Sequence, residues 1–167
     1  MSDKGAFSLT TINKRLIENK SSPYYIYKTN KFFTGESKLF IKNVKIIKDK
    51  EGKKELYIEL DEYQLDIDRI NIKDKYKDKV KKILSNDSLS LIDFIGIDMD
   101  YDGKTPIISW QYYRMNDKLN IDAKIKIRDK ELEGSKKIFI RCIDVFGFQC
   151  SNILEINDER VVICQES

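Results

Sequence analysis

The sequence contains no histidine, two prolines and one tryptophan. The missing histidine excludes the most. Without an imidazole, this chain cannot build a Ser-His-Asp or Cys-His nucleophile, nor any zinc site that needs histidine. Cysteine is scarce too. Cys142, Cys150 and Cys164 are odd in number and form no CxxC, which rules out a zinc ribbon or a thioredoxin-type motif and suits a reducing cytoplasm. The opening MSDKGAFSLTTINKRL lacks the apolar core of a signal peptide, and no run nears the ~18 apolar residues that cross a bilayer. The expectation is a cytoplasmic protein that does not enter a membrane. With two prolines and seven glycines there is no low-complexity linker, and nothing repeats at a fixed period.

What is present is a core's worth of apolar residues, 41%, under a surface rich in charge, 35% of the chain. The net charge of +3, from 31 basic and 28 acidic residues, is too small to imply nucleic acid unless the charges cluster. Residues 1–37 read as an arm. In it SLTTINKRLIENKSS places Leu9, Ile12 and Leu16 on one helical face, and SSPYYIYKTNKFFTGES interleaves Tyr24, Tyr25, Tyr27, Phe32 and Phe33 with Lys28 and Lys31. Residues 38–167 read as the main domain, with 88–157 its clearest part.

The period of the apolar residues predicts the elements of that domain. Val44 and Ile46, then Leu56, Ile58 and Leu60 with Glu59 and Asp61 facing outward, predict a β-hairpin around the polar KDKEGKK. The spacing then changes. Ile72, Tyr76, Val80, Ile83 and Leu84 make one helical stripe over 72–84, stopped by SNDS. Lys73, Lys77 and Lys81 form one row beside the stripe, and Lys75, Lys79 and Lys82 form the other. LIDFIGID and IISWQYY predict strands around YDGKTP. Ile121, Ala123, Ile125 and Ile127 alternate with charged residues as a strand with one wet face. KKIFIRCID and FQCSNILEI meet at DVFG as a hairpin, and RVVICQ reads as a terminal strand. Turns recur at the interval of an all-β sandwich.

Three constellations carry chemistry. DMDYDG places Asp98, Asp100, Asp102 and Gly103 like the opening of a calcium loop, but Pro106 and Ser109 stand where the later ligands belong. The reading is a hairpin turn whose three carboxylates are exposed. Asp102 and Lys104, with Asp93 or Asp98, form a short pattern of the metal-dependent nuclease type, one that chance produces in a chain rich in Asp and Lys. The lysine rows, with Lys28, Lys31 and Arg114, are the candidate nucleic-acid contacts, since lysines take phosphates and aromatics take bases. Their bland alternative is a solvated helix face. Cys142 and Cys150 are equidistant from Phe146; they read as small buried hydrophobes, or as a pair facing across the hairpin.

LIDFIGIDMDYDGK, SWQYYRMNDKL and KIFIRCIDVFGFQCSNILEI together resemble the C-terminal β domain of adenine-specific DNA methyltransferases of restriction–modification systems. That family has an IDYWxVDWDYxxD stretch, then WQSYRTRKNRKL, then a closing VKVVDIFGNDT hairpin. The resemblance covers residues 53–157, and its closing hairpin is shared with Ig-like and PKD-like sandwiches. Here GFQ replaces the family's GND, and RMND replaces its RTRKN. The DPPY and FxGxG motifs that serve the adenine and the methyl donor are absent. The resemblance therefore implies no catalytic residue and no cofactor in this chain.

The expectation is a mainly β, Ig-like sandwich with an N-terminal β-hairpin arm and one or two short helices. Its expected function is that of a non-catalytic accessory domain of a DNA-modification system, holding DNA backbone or docking a methyltransferase or restriction subunit. The alternative is an Ig-like protein-interaction module without nucleic acid; a small metal-dependent nuclease ranks third.

Overall fold

The computed structural model describes residues 37–48, 53–70, 72–114, 121–128, 136–157 and 160–165. Of the expected arm over 1–37, residues 1–36, with Lys28 and Lys31, lie outside the described residues, and Ser37 belongs to the first strand.

Alternation builds the strands. β1 (Ser37–Lys48) and β2 (Lys54–Leu65) pair antiparallel, and β5 (Lys124–Arg128) adds to the far side of β2, giving a sheet of order β1-β2-β5. The second sheet has order β4-β3-β6-β7-β8, from β3 (Ile92–Asp98), β4 (Trp110–Tyr113), β6 (Lys136–Asp144), β7 (Gln149–Asn157) and β8 (Arg160–Gln165). Between β2 and β3 come a 3-10 turn (Ile67–Arg69), helix α1 (Asp74–Asp87) and a second 3-10 turn (Ser88–Leu91).

The chain changes sheet three times, between β2 and β3, between β4 and β5, and between β5 and β6. β2 and β5 are neighbours in one sheet, while β3 and β6 are neighbours in the other. This interlocking is the Ig-like sandwich, with β4 as the added edge beside β3 and β8 as an extra edge beyond β7. One core fills the space between the sheets. Leu56, Ile58, Ile125 and Ile127 come from the first sheet, and Ile95, Ile97, Ile138, Ile140 and Leu154 from the second. Burying each such side chain contributes about 2 kcal/mol.

Two departures from plain alternation matter. The β1–β2 register shifts between Leu39 and Ile41 and between Ile41 and Asn43. Those bulges move the inward phase of β2 from Leu56, Ile58 and Leu60 to Tyr63 and Leu65, so that Tyr63 is buried at 1% exposure. The β6–β7 turn is a three-residue loop. Gly147 N–H donates to Asp144 C=O at 3.0 Å, and Gly147 takes φ +85°, the left-handed bulge position that favours glycine.

The helix corrects the expectation at both ends. It begins at Asp74, and Ser85, Asn86 and Asp87 belong to it, because the following 3-10 turn, with Leu89 and Leu91 buried, takes over the stop. No helix among the described residues is long and apolar enough to cross a membrane.

Candidate nucleic-acid interface

α1 buries less of its stripe than the spacing predicts. Val80 is buried and Ile72 and Leu84 are half-buried, but Tyr76 remains 44% and Ile83 39% exposed. At 100° per residue the stripe divides: Val80 and Leu84 turn to the core, while Tyr76 and Ile83 turn toward the row Lys75, Lys79 and Lys82. Lys75 Nζ lies 4.9 Å and Lys79 Nζ 5.9 Å from the centroid of the Tyr76 ring, within cation–π range. Lys75, Lys79 and Lys82 are exposed and have no carboxylate partner among the described residues. The other row differs. Lys73 and Lys81 are exposed, but Lys77 is half-buried with its Nζ 3.4 Å from Asp74. Helix geometry puts Asp74 beside Lys77 and Lys81, whereas Asp78 lies three residues from Lys75 and Lys81 and four from Lys82, so Asp74 dilutes this row and Asp78 dilutes both.

Arg114 follows β4 and points back at the start of β3. Its Nη1 donates to Ser90 C=O at 3.0 Å, and its Nε lies 3.6 Å from Asp93 Oδ1. Its guanidinium is therefore committed to this corner, and it adds little free charge to the α1 face.

A second basic surface was not singled out from the sequence. On the outer face of the first sheet, Lys45, Tyr57 and Lys126 are register partners across three strands, with Lys45 Nζ 5.0 Å from the Tyr57 ring. Lys124 and Lys126 project from β5. Glu59 pairs with Lys42 at 3.8 Å and Glu55 with Arg128, whereas Lys45, Lys124 and Lys126 have no carboxylate partner among the described residues. The signal is the KIKIR alternation, whose wet face carries Lys124 and Lys126.

The acidic constellations come apart. Asp98 corrects the expectation of an exposed carboxylate. It is buried at 5% exposure because its two oxygens accept amides, Asp100 N at 3.0 Å and Ile107 N at 2.7 Å, and so close the loop after β3. Asp102 Oδ1 accepts the amides of Lys104 and Thr105, which hold its carboxyl below the usual range. Asp93 and Asp98 stand at opposite ends of β3, about 17 Å apart at strand rise. Among the described residues no group of three His, Cys, Asp or Glu side chains is placed to hold a metal.

A buried polar cluster lies where the two sheets meet. Asp144 is 0% exposed; its Oδ1 accepts the amides of Phe146 at 2.9 Å and Phe148 at 2.8 Å, and its Oδ2 accepts the Tyr63 hydroxyl at 2.9 Å. Burial raises the Asp144 carboxyl to about 6 against the pull of these donors. Burial, then the Asp144 charge, pushes the Tyr63 phenol far up, so it stays protonated. Asn152 Nδ2 donates to Leu39 C=O at 3.1 Å, a second tie between the sheets. Cys142 and Cys150 do face each other, as direct partners on β6 and β7.

Comparisons with protein-family models, with curated proteins and with solved structures found no match.

Proposed function

We propose that this chain is a non-catalytic Ig-like module that binds a nucleic-acid backbone through the exposed lysine–tyrosine face of α1. The observation that carries this reading is Tyr76, left 44% exposed with the Lys75 and Lys79 amines beside its ring and Lys82 on the same side. A core-seeking aromatic held in solvent between ammonium groups that have no carboxylate partner among the described residues suits phosphates, with a base or sugar on the ring. The resemblance of residues 53–157 to the methyltransferase β domain supports DNA as the polyanion, and a methylase or restriction subunit as the larger setting. The absent DPPY and FxGxG motifs support a role in holding DNA rather than modifying it, in a cytoplasmic protein.

The test is fluorescence anisotropy of labelled duplex and single-stranded DNA at low ionic strength, comparing the wild type with Lys75→Glu/Lys79→Glu. Unchanged affinity in a folded double variant would end this reading. The second reading, a protein-interaction module, draws on one observation. Ile107, 73% exposed, is held out on the loop that Asp98 clamps through the Ile107 amide.

A further inference from the structure

We infer that Cys150 and Cys142 form a peroxide-sensitive thiol pair, with Cys150 as the reacting thiol and Cys142 as the resolving one. The geometry comes from the hairpin. Asp144 N–H donates to Phe148 C=O at 3.0 Å, which makes Asp144 and Phe148 a hydrogen-bonded pair. Two residues further along, Cys142 and Cys150 are direct partners and again a hydrogen-bonded pair. Their Cα atoms then stand ~5.5 Å apart, inside the Cα range of a disulfide, and the Cβ atoms, wide apart in a hydrogen-bonded pair, must draw together by about 1 Å for the bond to close without a change of register.

The two thiols are not equivalent. Cys142 is 1% exposed, while Cys150 is only half-buried where it packs against the core. The Cys142 thiol donates to the Cys150 sulfur, and the Leu39 amide does so as well, which lowers the Cys150 thiol; burial raises that of Cys142. Beside Cys150 sits the buried hydroxyl of Ser37, which has no hydrogen-bond partner of ordinary geometry among the described residues and, as a donor to the Cys150 thiolate, helps to lower that thiol. A thiol with a lowered pKa, less buried than the second cysteine it faces, is the arrangement that favours sulfenic acid followed by a disulfide.

The steps balance with a hydroperoxide as the oxidant. The Cys150 thiolate attacks one peroxide oxygen; the S–O bond forms, the O–O bond breaks, and hydroxide leaves to become water. The Cys142 thiol then attacks the sulfenic sulfur. The S–S bond forms, the S–O bond breaks, and the second water carries away the Cys142 proton. Cys164 is excluded as the resolving thiol. It stands opposite Ile153 on β8, three residues along β7 from Cys150, which puts the Cα atoms over ~10 Å apart.

The test treats the reduced full chain with equimolar hydrogen peroxide and maps the cysteines by alkylation and peptide mass. The expected result is a peptide pair joining Cys142 and Cys150 with the loss of two hydrogens, reversed by dithiothreitol, while Cys164 alkylates as before. In Cys142→Ala the sulfenic acid on Cys150 should persist and be trapped by a 1,3-diketone, and the pH midpoint of Cys150 alkylation should rise. Oxidation at Cys164 first, Cys150 over-oxidised with no cross-link, or both hairpin thiols left free would overturn the inference. If the alanine variant does not fold, the wild-type map still decides.

Discussion

Across 81 residues of chain, the Tyr63 hydroxyl donates a 2.9 Å hydrogen bond to Asp144 Oδ2. The bond joins the end of β2 in one sheet to the end of β6 in the other. The same carboxylate also holds the β6–β7 turn by two amides, so one side chain fixes both a turn and the meeting of the sheets.

This relationship has a pH signature. The folded Asp144 carboxyl titrates at about 6, above its ordinary 3.8, so the native state binds this proton more tightly than the unfolded chain. Its contribution is therefore greatest below the unfolded value and is lost as pH rises from about 4 to about 6, by about 3 kcal/mol. Asp144→Asn keeps an oxygen for the two amides and removes the titration. Urea unfolding across this range should show the variant's stability rising relative to the wild type as pH increases. Tyr63→Phe deletes a donor that lowers the carboxyl, so the Asp144 midpoint, read by carbon NMR, should move upward. A midpoint near 4 in the wild type would contradict both expectations.

The turn makes a second prediction. Gly147 at φ +85° occupies a conformation that costs an L-residue about 1–2 kcal/mol. Gly147→Ala should lose about that much stability, while Gly147→Asn should recover part of it, since asparagine tolerates the left-handed region. Equal losses would mean that the glycine is required for space rather than for its backbone angle.

Burial separates two isoleucines that sequence alone treats alike. Ile58, 0% exposed at the centre of β2, should cost about 2–5 kcal/mol when changed to alanine. Ile107, 73% exposed, should cost within about 0.5 kcal/mol. If Ile107→Ala leaves stability intact yet abolishes capture of a specific protein partner, the interaction-module reading gains.

The strands were legible because their side chains obey a period of two, and the DVFG turn because Asp and Gly sit where this hairpin needs them. Tyr63 was not legible. Continuing the alternation of Leu56, Ile58 and Leu60 assigns it to solvent with Glu59 and Asp61, and only the bulges opposite Leu39 and Ile41 turn it inward. Asp98 misled for a related reason. A carboxylate in an acid-rich loop looks exposed until its acceptors are matched to the loop's own amides. The helix stripe was legible as a stripe, but its spacing could not say which half the core would leave in water. The α1 lysines were visible from the sequence. Their inequality, with Lys77 tied to Asp74 and Lys75 and Lys79 beside Tyr76, arises only from folding.

The last prediction turns on that inequality. If Lys75, Lys79 and Lys82 each neutralise a phosphate, log affinity for duplex DNA should fall with log salt at a slope of about −2.7, since each contact contributes about −0.9. Lys75→Glu/Lys79→Glu should remove about two contacts' worth of that slope and weaken binding to every sequence alike, because phosphate contacts carry no base code. Lys77→Glu should do far less, since its ammonium already faces Asp74. Tyr76→Ala should leave the slope nearly unchanged but weaken single-stranded DNA by about 1–3 kcal/mol if a base stacks on the ring. A slope that survives the α1 changes but falls with Lys124→Glu/Lys126→Glu would move the DNA to the outer face of the β1-β2-β5 sheet. Loss with Lys77→Glu equal to that with Lys75→Glu would show net charge acting at a distance rather than contact at the tyrosine face.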